Sequence, residues 1–479
     1  MATIIDTLNN LFWGYILIYG LLAVGVFFTI RLAFIQIRHF PEFIRTIMRA
    51  PQNDRGGISP FQALCTSLAS RVGTGNMAGV AVALVLGGPG AIFWMWMVAL
   101  IGMATAYAES TLAQLYKVRD ANGQLRGGPA FYIARGLKAP WAGALFSLAL
   151  ILAFGLVFNA VQANSIAGAM EEAFDVPKLV TGFVVMGLAA IVIFGGIKKI
   201  ARVAEILVPF MAAAYLLLAL FVIVVNIDEV PAALALIVKS AFGFEQAAGG
   251  VAGALLNGVK RGLFSNEAGM GSAPNIAAVA TPYPHHPSSQ GMVQSLGVFI
   301  DTLLVCTATA LMILLSGAMG TDETGIMLTQ TALDEHIGGF GSYFVAIAIL
   351  FFAFTSIIGN YSYAENALTY LKWATKPGIF ILRILALAMI PWGAYESVQM
   401  VFNAADAAMG LMATINLIAI VLLSGVVVKL TKDYFAQRKN HIPIFDAKEY
   451  PELKGQIDDS IWNEHNEDES DNTPTEKQS

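Results

Sequence analysis

"SRVGTGNMAG", Ser70 to Gly79, lies inside an almost uninterrupted apolar run from Phe61 to Leu86. A run of this length crosses about 30 Å of hydrocarbon as a helix. Yet its middle holds an arginine, two closely spaced glycines, a threonine and an asparagine. Backbone left unpaired in lipid costs several kcal/mol, so such a stretch survives only where it faces protein or a watery cavity. It reads as a spanning helix broken at a site.

The rest of the chain agrees. Of 479 residues, 57% are hydrophobic and 13% charged, against roughly 25% charged in soluble domains. Repeated apolar runs of about 20 residues mark a polytopic α-helical membrane protein rather than a barrel. Eleven spans are expected, near 12–30, 61–86, 91–116, 141–169, 179–196, 203–225, 250–281, 291–317, 342–371, 378–395 and 403–428. The first has no basic region before it and reads as an anchor, not a cleaved signal. Basic residues fall on alternate loops, with Arg38 and Arg45 after the first span, Arg119 and Arg126 after the third, and Lys198 and Lys199 after the fifth. Lys372 and Lys376 follow the ninth and Lys429 the last. The positive-inside rule then puts the N-terminus outside and the C-terminus in the cytoplasm, and the chain is expected in the plasma membrane, the inner one in a bacterium. Cys65 and Cys306 lie in separate apolar runs and indicate neither a disulfide framework nor a metal cluster.

"EAGMGSAPNIAAVA", Glu267 to Ala280, repeats the plan of the opening stretch. Gly269-Met270-Gly271 stands where Gly73-Thr74-Gly75 stood, and small apolar residues follow both. The second span runs outward and the seventh inward, so the five helices that begin with each have opposite orientations. Such inverted repeats place substrate and ion sites near the bilayer midplane, where discontinuous helices meet. The chain divides into an N-terminal helix and connector (1–57), a first repeat (58–226), a second, inverted repeat (227–432) and an acidic cytoplasmic tail (433–479) expected to be disordered.

The residue types at the break have a chemical use. Glycine adopts positive φ and lets a ligand approach the main chain. Free amides at the start of the outer half-helix, near Asn76, suit a carboxylate. Free carbonyls at the end of the inner half, from Ala69 to Val72, suit a hard monovalent cation or an ammonium. One break can hold both ends of a zwitterion and a coupling ion. Helix packing through Gly75 and Gly79 is the plainer use of these glycines, and two matching breaks in inverted halves weigh against it.

"GTGNMAGVAVAL", "GGPGAIFWMW" and above all "GLFSNEAGMGSAPNIAAVA" resemble the alanine or glycine:cation symporter family from about Phe12 to Lys432. The resemblance implies a leucine-transporter-type inverted five-helix repeat after one extra helix, and sodium-driven uptake of alanine or glycine with no cofactor. It matches the amides of Thr74 and Gly75 to a carboxylate cradle, and the backbone from Asn266 through Gly269, Met270 and Gly271 to the ammonium side. It assigns sodium to the carbonyls of Ala69 and Val72 and the hydroxyls of Thr355 and Ser356. Asn76 matches a ligand of the fold's other sodium site, but Arg71 stands at a neighbouring position of that site, so one coupling ion is expected.

Buried charges need partners. Arg71 and Glu267 hold equivalent positions in the two repeats and are expected to pair, with Glu109 and Asp301 as alternative partners. Asp301 is the leading lone carboxylate for an ammonium or ion, with helix packing as its alternative use. Gln162 faces either the substrate or a neighbouring helix. Lys260 and Arg261 line an outer vestibule or reach for the interface, and His285-His286 reads as a solvated turn. The expected partners are a small neutral amino acid, Na+ and the lipid bilayer, with no nucleic acid and a monomeric chain. The residues leave open another small zwitterion or proton coupling. A channel lacks a continuous polar pore in this sequence, and an enzyme lacks a catalytic set.

Overall fold

Ser59 opens the first broken span with a reciprocal cap. Its hydroxyl accepts the Gln62 amide at 3.1 Å, and Gln62 Oε1 accepts the Ser59 amide at 3.1 Å. Pro60, with no amide to satisfy, occupies the first turn. The computed structural model describes residues 2–50, 57–243 and 250–462. Within them the spanning helices are α1 (Ile5–Arg31), α2 (Pro60–Arg71) with α3 (Gly75–Gly87), α4 (Gly90–Leu115), α5 (Pro140–Phe174), α6 (Lys178–Ile193) and α7 (Gly196–Val225). The second repeat supplies α8 (Gly250–Asn266) with the short α9 (Pro274–Ala277), then α10 (Pro287–Ser316), α11 (Phe340–Tyr370), α12 (Lys376–Tyr395) and α13 (Val398–Leu422). The helix α14 (Ser424–Gln437) follows.

Among the described residues nine spans are long and apolar enough to cross a membrane, the bent α2–α3 pair counted as one, and the shorter α6 and α8 with α9 lie on the two remaining apolar runs. The fold is an all-α inverted five-helix repeat of the leucine-transporter type, with α1 outside it. Both expected interruptions are present. α2 and α3 bend by 52° at residues 72–74. α8 ends at Asn266, and Glu267, Gly269 and Gly271 adopt φ of 57°, 88° and 83° before α9 begins.

Position in the bundle follows polarity. α4 and α13 bury 67% of their most apolar windows and form the interior, whereas α7 buries 28% and turns Phe210, Leu217 and Val225 outward. Opposite faces of one apolar helix thus meet either protein or lipid. α2 packs on α7 and α11, α8 packs on α3 and α4, and the first half of α10 packs on α4. On the face that carries the basic loops, Ile58 pairs with Ala280 in a parallel bridge. The Ile58 amide donates to Val279 O at 3.3 Å, and the Thr281 amide donates to Ile58 O at 3.0 Å. The entry to the first broken span is therefore tied to the exit from the second.

Two expectations fail on this face. Residues 433–462 are not a disordered tail. They fold back over the helix ends, burying Phe445, Tyr450 and Trp462, and the Trp462 indole donates to Leu115 O at 3.4 Å. Residues 463–479, which carry the acidic run, lie outside the described residues. His285 and His286 are not a solvated turn either. Both are buried, His286 Nδ1 accepts the Ser288 amide at 3.1 Å, and the His285 carbonyl accepts the Phe445 amide at 2.9 Å. The returning chain covers what the local sequence leaves open.

Candidate functional site

The first break sorts donors and acceptors onto two sides of Gly73. On one side the Ser356 hydroxyl, from α11, donates to Ala69 O at 2.8 Å and lies 3.5 Å from Val72 O. On the other, Gln162 Oε1, from α5, accepts the Thr74 amide at 3.0 Å. A Cβ added at Gly73 would collide with Ser356 Oγ and lie 2.7 Å from Gln162 Oε1. Only a residue without a side chain lets both groups reach the unwound turn. The break thus gathers Ala69, Val72, Thr74, Gln162 and Ser356. Thr355 stands apart from the carbonyls, since its hydroxyl donates to Phe352 O of its own helix at 2.9 Å. The Thr74 hydroxyl is fully buried with no hydrogen-bond partner among the described residues.

Asn76 turns back on the break and forward to α10. Its Oδ1 accepts the Gly73 amide at 2.9 Å, and its Nδ2 donates to Asp301 Oδ1 at 2.6 Å. Asp301 also accepts the hydroxyls of Ser265, at 2.9 Å, and Thr302, at 2.6 Å. It lies in a π-helical stretch, Phe299–Cys306, against which the first turn of α3, Gly75–Gly79, packs. A carboxylate with no basic group within 4 Å among the described residues is thereby held by three donors from three segments. Gly75 completes the contact, because a Cβ there would lie 3.0 Å from the Phe264 ring and 3.2 Å from Ser265 Cα.

The second break has other neighbours. Asn266 Oδ1 accepts the Ala268 amide at 2.9 Å, while its buried Nδ2 has no partner among the described residues. The Gly269 amide donates to Glu109 Oε1 at 3.1 Å, and Asn416 Nδ2 donates to Glu109 Oε2 at 2.7 Å and Gly269 O at 3.0 Å. Side chains added at Gly269 would meet Leu417, Thr105 and Leu21, and at Gly271 would meet Pro129, Asn416 and Phe146. Met270 between them is fully buried. Gly269 is thus pressed against α4, α13 and α1, and Gly271 against α13, α5 and the helix Pro129–Gly136.

Arg71 and Glu267 do not form the expected pair, and Arg71 has no ion pair within 4 Å among the described residues. In its left-handed conformation Glu267 turns to the hydroxyls of Ser70, at 3.0 Å, and Ser272, at 2.5 Å. Arg71 instead reaches α10, where Nη1 donates to Gln294 O at 3.2 Å. A Cβ at Gly297 would lie 2.5 Å from that nitrogen. Equivalent backbone positions carry side chains in different directions because only one of the two is left-handed.

The side of the breaks away from the basic loops is closed by rings. Phe264 stacks on Phe158 with centroids 4.9 Å apart and leans on Phe402 at 5.5 Å. The Arg261 guanidinium lies 5.5 Å and 5.1 Å from the centroids of Phe264 and Phe402, and pairs with Asp406. Lys260 Nζ is 3.7 Å from the same carboxylate. Neither cation reaches for the interface. Asp406, Asn416, Ser265 and Phe264 were not singled out in the sequence. An acidic residue within "FNAADAAMG" could have flagged Asp406 as a buried charge needing a partner.

The donor set also has a chemistry. No group of three or more His, Cys, Asp or Glu residues able to hold a metal occurs among the described residues. The carbonyls of Ala69 and Val72 and the Ser356 hydroxyl are hard, uncharged oxygens, and they fit a hard monovalent cation better than a transition metal.

The profile of the sodium:alanine symporter family matches residues 1–447. Over 454 residues the chain is 50% identical to the amino-acid carrier protein AlsT of Bacillus subtilis, covering 94% of this chain and 96% of that protein. It is 51% identical over 439 residues to the probable sodium/glutamine symporter GlnT of the same organism, covering 91% of each. It is 43% identical over 451 residues to the sodium/alanine symporter AgcS of Methanococcus maripaludis, covering 92% and 98%. Among solved structures, a mutant manganese transporter of Eremococcus coleocola superposes with a TM-score of 0.51 at 14% identity, covering 87% of this chain and 88% of that one. That likeness is one of fold alone.

Proposed function

From the premise that the chain belongs to the sodium:alanine symporter family, we propose that it imports a small neutral amino acid together with Na+ by alternating access. The observation that carries this reading is the division of polarity around Gly73. The substrate carboxylate takes the Thr74 and Gly75 amides, displacing Gln162 Oε1 from the former. Gln162 then turns its amide to the bound solute. Na+ takes the carbonyls of Ala69 and Val72 and the Ser356 oxygen, with Thr355 joining after a rotamer change. Asn76 and Asp301 support the outer half-helix, and Asp301 is the nearer carboxylate to an ammonium held at the start of α3. Asn266 Nδ2 is free to serve the same solute. In this reading Gly269, Met270 and Gly271 shape the second break without touching the solute.

The Phe264, Phe158 and Phe402 rings with the Arg261–Asp406 pair form the extracellular lid. The Ile58–Ala280 bridge closes the cytoplasmic side, with the N-terminus outside. Alternating access opens one while the other stays shut.

The test is uptake into proteoliposomes under an imposed Na+ gradient, with labelled alanine, glycine and glutamine. Alanine or glycine accumulation that collapses when the gradient is removed supports the proposal. Uptake driven equally by a proton gradient overturns the coupling. A second reading, glutamine as cargo, draws on the 51% identity to a protein named as a probable sodium/glutamine symporter. Competition between glutamine and labelled alanine separates the two.

A further inference from the structure

A cavity of about 640 Å³ opens on the basic face, away from both breaks. Its walls are the hairpin β1 (Val118–Arg119) with β2 (Leu125–Arg126), the helix Pro129–Gly136, the end of α11 and the start of α12. Three cations line it, Arg126, Arg135 and Lys372, against two carboxylates, Asp120 and Glu365. Both carboxylates are already engaged by one cation. Arg126 lies 3.0 Å from Asp120 Oδ2 and 3.5 Å from Glu365 Oε1. Glu365 also accepts the Tyr361 hydroxyl at 2.8 Å. Arg135 and Lys372 therefore have no carboxylate within 4 Å among the described residues, and Arg135 Nη1 is buried with no hydrogen-bond partner. A buried guanidinium nitrogen without an acceptor costs free energy unless something fills the place.

Phe131, Ala134, Ala374 and Ile379 give the cavity an apolar wall, beside the uncharged polar side chains of Asn122, Gln124, Thr369 and Tyr370. Trp373, 55% exposed, stands in the chain between the lining residues Lys372 and Ala374, and Trp141, 73% exposed, follows Pro140, whose carbonyl accepts the hydroxyl of the lining residue Tyr370 at 3.0 Å. Exposed tryptophans of this kind sit at the headgroup level of a bilayer. An anion with an apolar body fits such a wall, and basic pockets between helices on the cytoplasmic side are suited to anionic headgroups.

We propose that this cavity binds the phosphate of an anionic phospholipid of the cytoplasmic leaflet, between Arg135 and Lys372, with its acyl chains along Ile379 and the outer face of α12. The inference rests on the topology proposed above only for the leaflet. It does not depend on the transported solute.

The test is native mass spectrometry of the full chain, released from nanodiscs containing equal amounts of phosphatidylglycerol and phosphatidylcholine. The wild-type chain is expected to retain phosphatidylglycerol at least tenfold over phosphatidylcholine, and Arg135→Gln with Lys372→Gln to lose that preference. Lys372→Gln alone alters an exposed side chain and is expected to reduce the preference severalfold, so the test holds if the double variant misfolds. Equal retention of the two lipids by the wild type overturns the proposal, as does an unchanged preference in the Lys372→Gln chain. Glycerol phosphate added during release distinguishes the source. Displacement of the lipid only at millimolar concentration supports a headgroup site, whereas binding of glycerol phosphate as tight as that of the lipid assigns the site to soluble phosphates and overturns the lipid.

Discussion

Gly73 stands where two polar side chains from different helices converge, and its missing Cβ is what admits them. Gly73→Ala is expected to force Ser356 or Gln162 away, an overpacking of about 1–3 kcal/mol. Sodium-driven uptake should be lost while the variant still assembles in the membrane, measured by transport beside a thermal melt in detergent. Full uptake would show that the two groups need not share the turn. The hydroxyls of α11 differ in a way their adjacency conceals. Ser356 already bonds Ala69 O, whereas Thr355 bonds its own helix. Ser356→Ala should raise the sodium concentration for half-maximal uptake by roughly tenfold, equivalent to about 1.4 kcal/mol, and by more than Thr355→Ala does. The reverse order would move the ion toward Thr355. Arg71 shows where residue-level reading stopped. Its position was legible from the repeat, but its direction depended on Glu267 being left-handed, which no side-chain pattern encodes.

Elements were the most legible scale, because hydrocarbon imposes a length and a polarity on each span. Glycine pairs in apolar runs also exposed both interruptions. The segment after α14 was hidden for the converse reason. Phe445, Tyr450 and Trp462 are scattered among charges with no helical stripe, and only the surface they meet makes them a core. That surface includes Lys117, which donates to Gln114 Oε1 at 2.8 Å and lies 4.8 Å from the Trp462 ring centroid. Burial, with the charge of Arg119 second, lowers the Lys117 amine from 10.5 to about 7. In the unfolded chain it keeps its proton to about 10.5. Between these values the unfolded state binds more protons, so this group makes stability rise with pH from about 7 to about 10.5. Below that window the folded chain carries the full penalty of a buried charge. Lys117→Met should flatten the rise in thermal midpoint across the window, measured against the wild type at each pH. An identical pH profile would place the titration elsewhere.

At the scale of the whole molecule, the two repeats contribute unequal parts to the proposed site. The first supplies the turn at Gly73 and Gln162, and the second supplies Ser356, Asp301 and Ser265. Fold and repeat were therefore readable from the chain, while the partners of each polar group depended on which helix faces meet across the bundle. The bridge between Ile58 and Ala280 spans those repeats with two main-chain hydrogen bonds. A swing of α2 away from the end of the second broken span has to break both, and in doing so it bares the amides of Ile58 and Thr281 to solvent. Under the proposed alternating access, with this face cytoplasmic, their deuterium uptake is an internal clock of inward opening, since an amide exchanges only in proportion to the time its bond is open. If Na+ favours the outward-open state, it should slow these two protons together and leave the interior of α4 unchanged, as read by exchange mass spectrometry. Independent rates for the two amides would mean that the bridge frays locally. Matched rates would let the inward-open population be followed in a native membrane without attaching a probe.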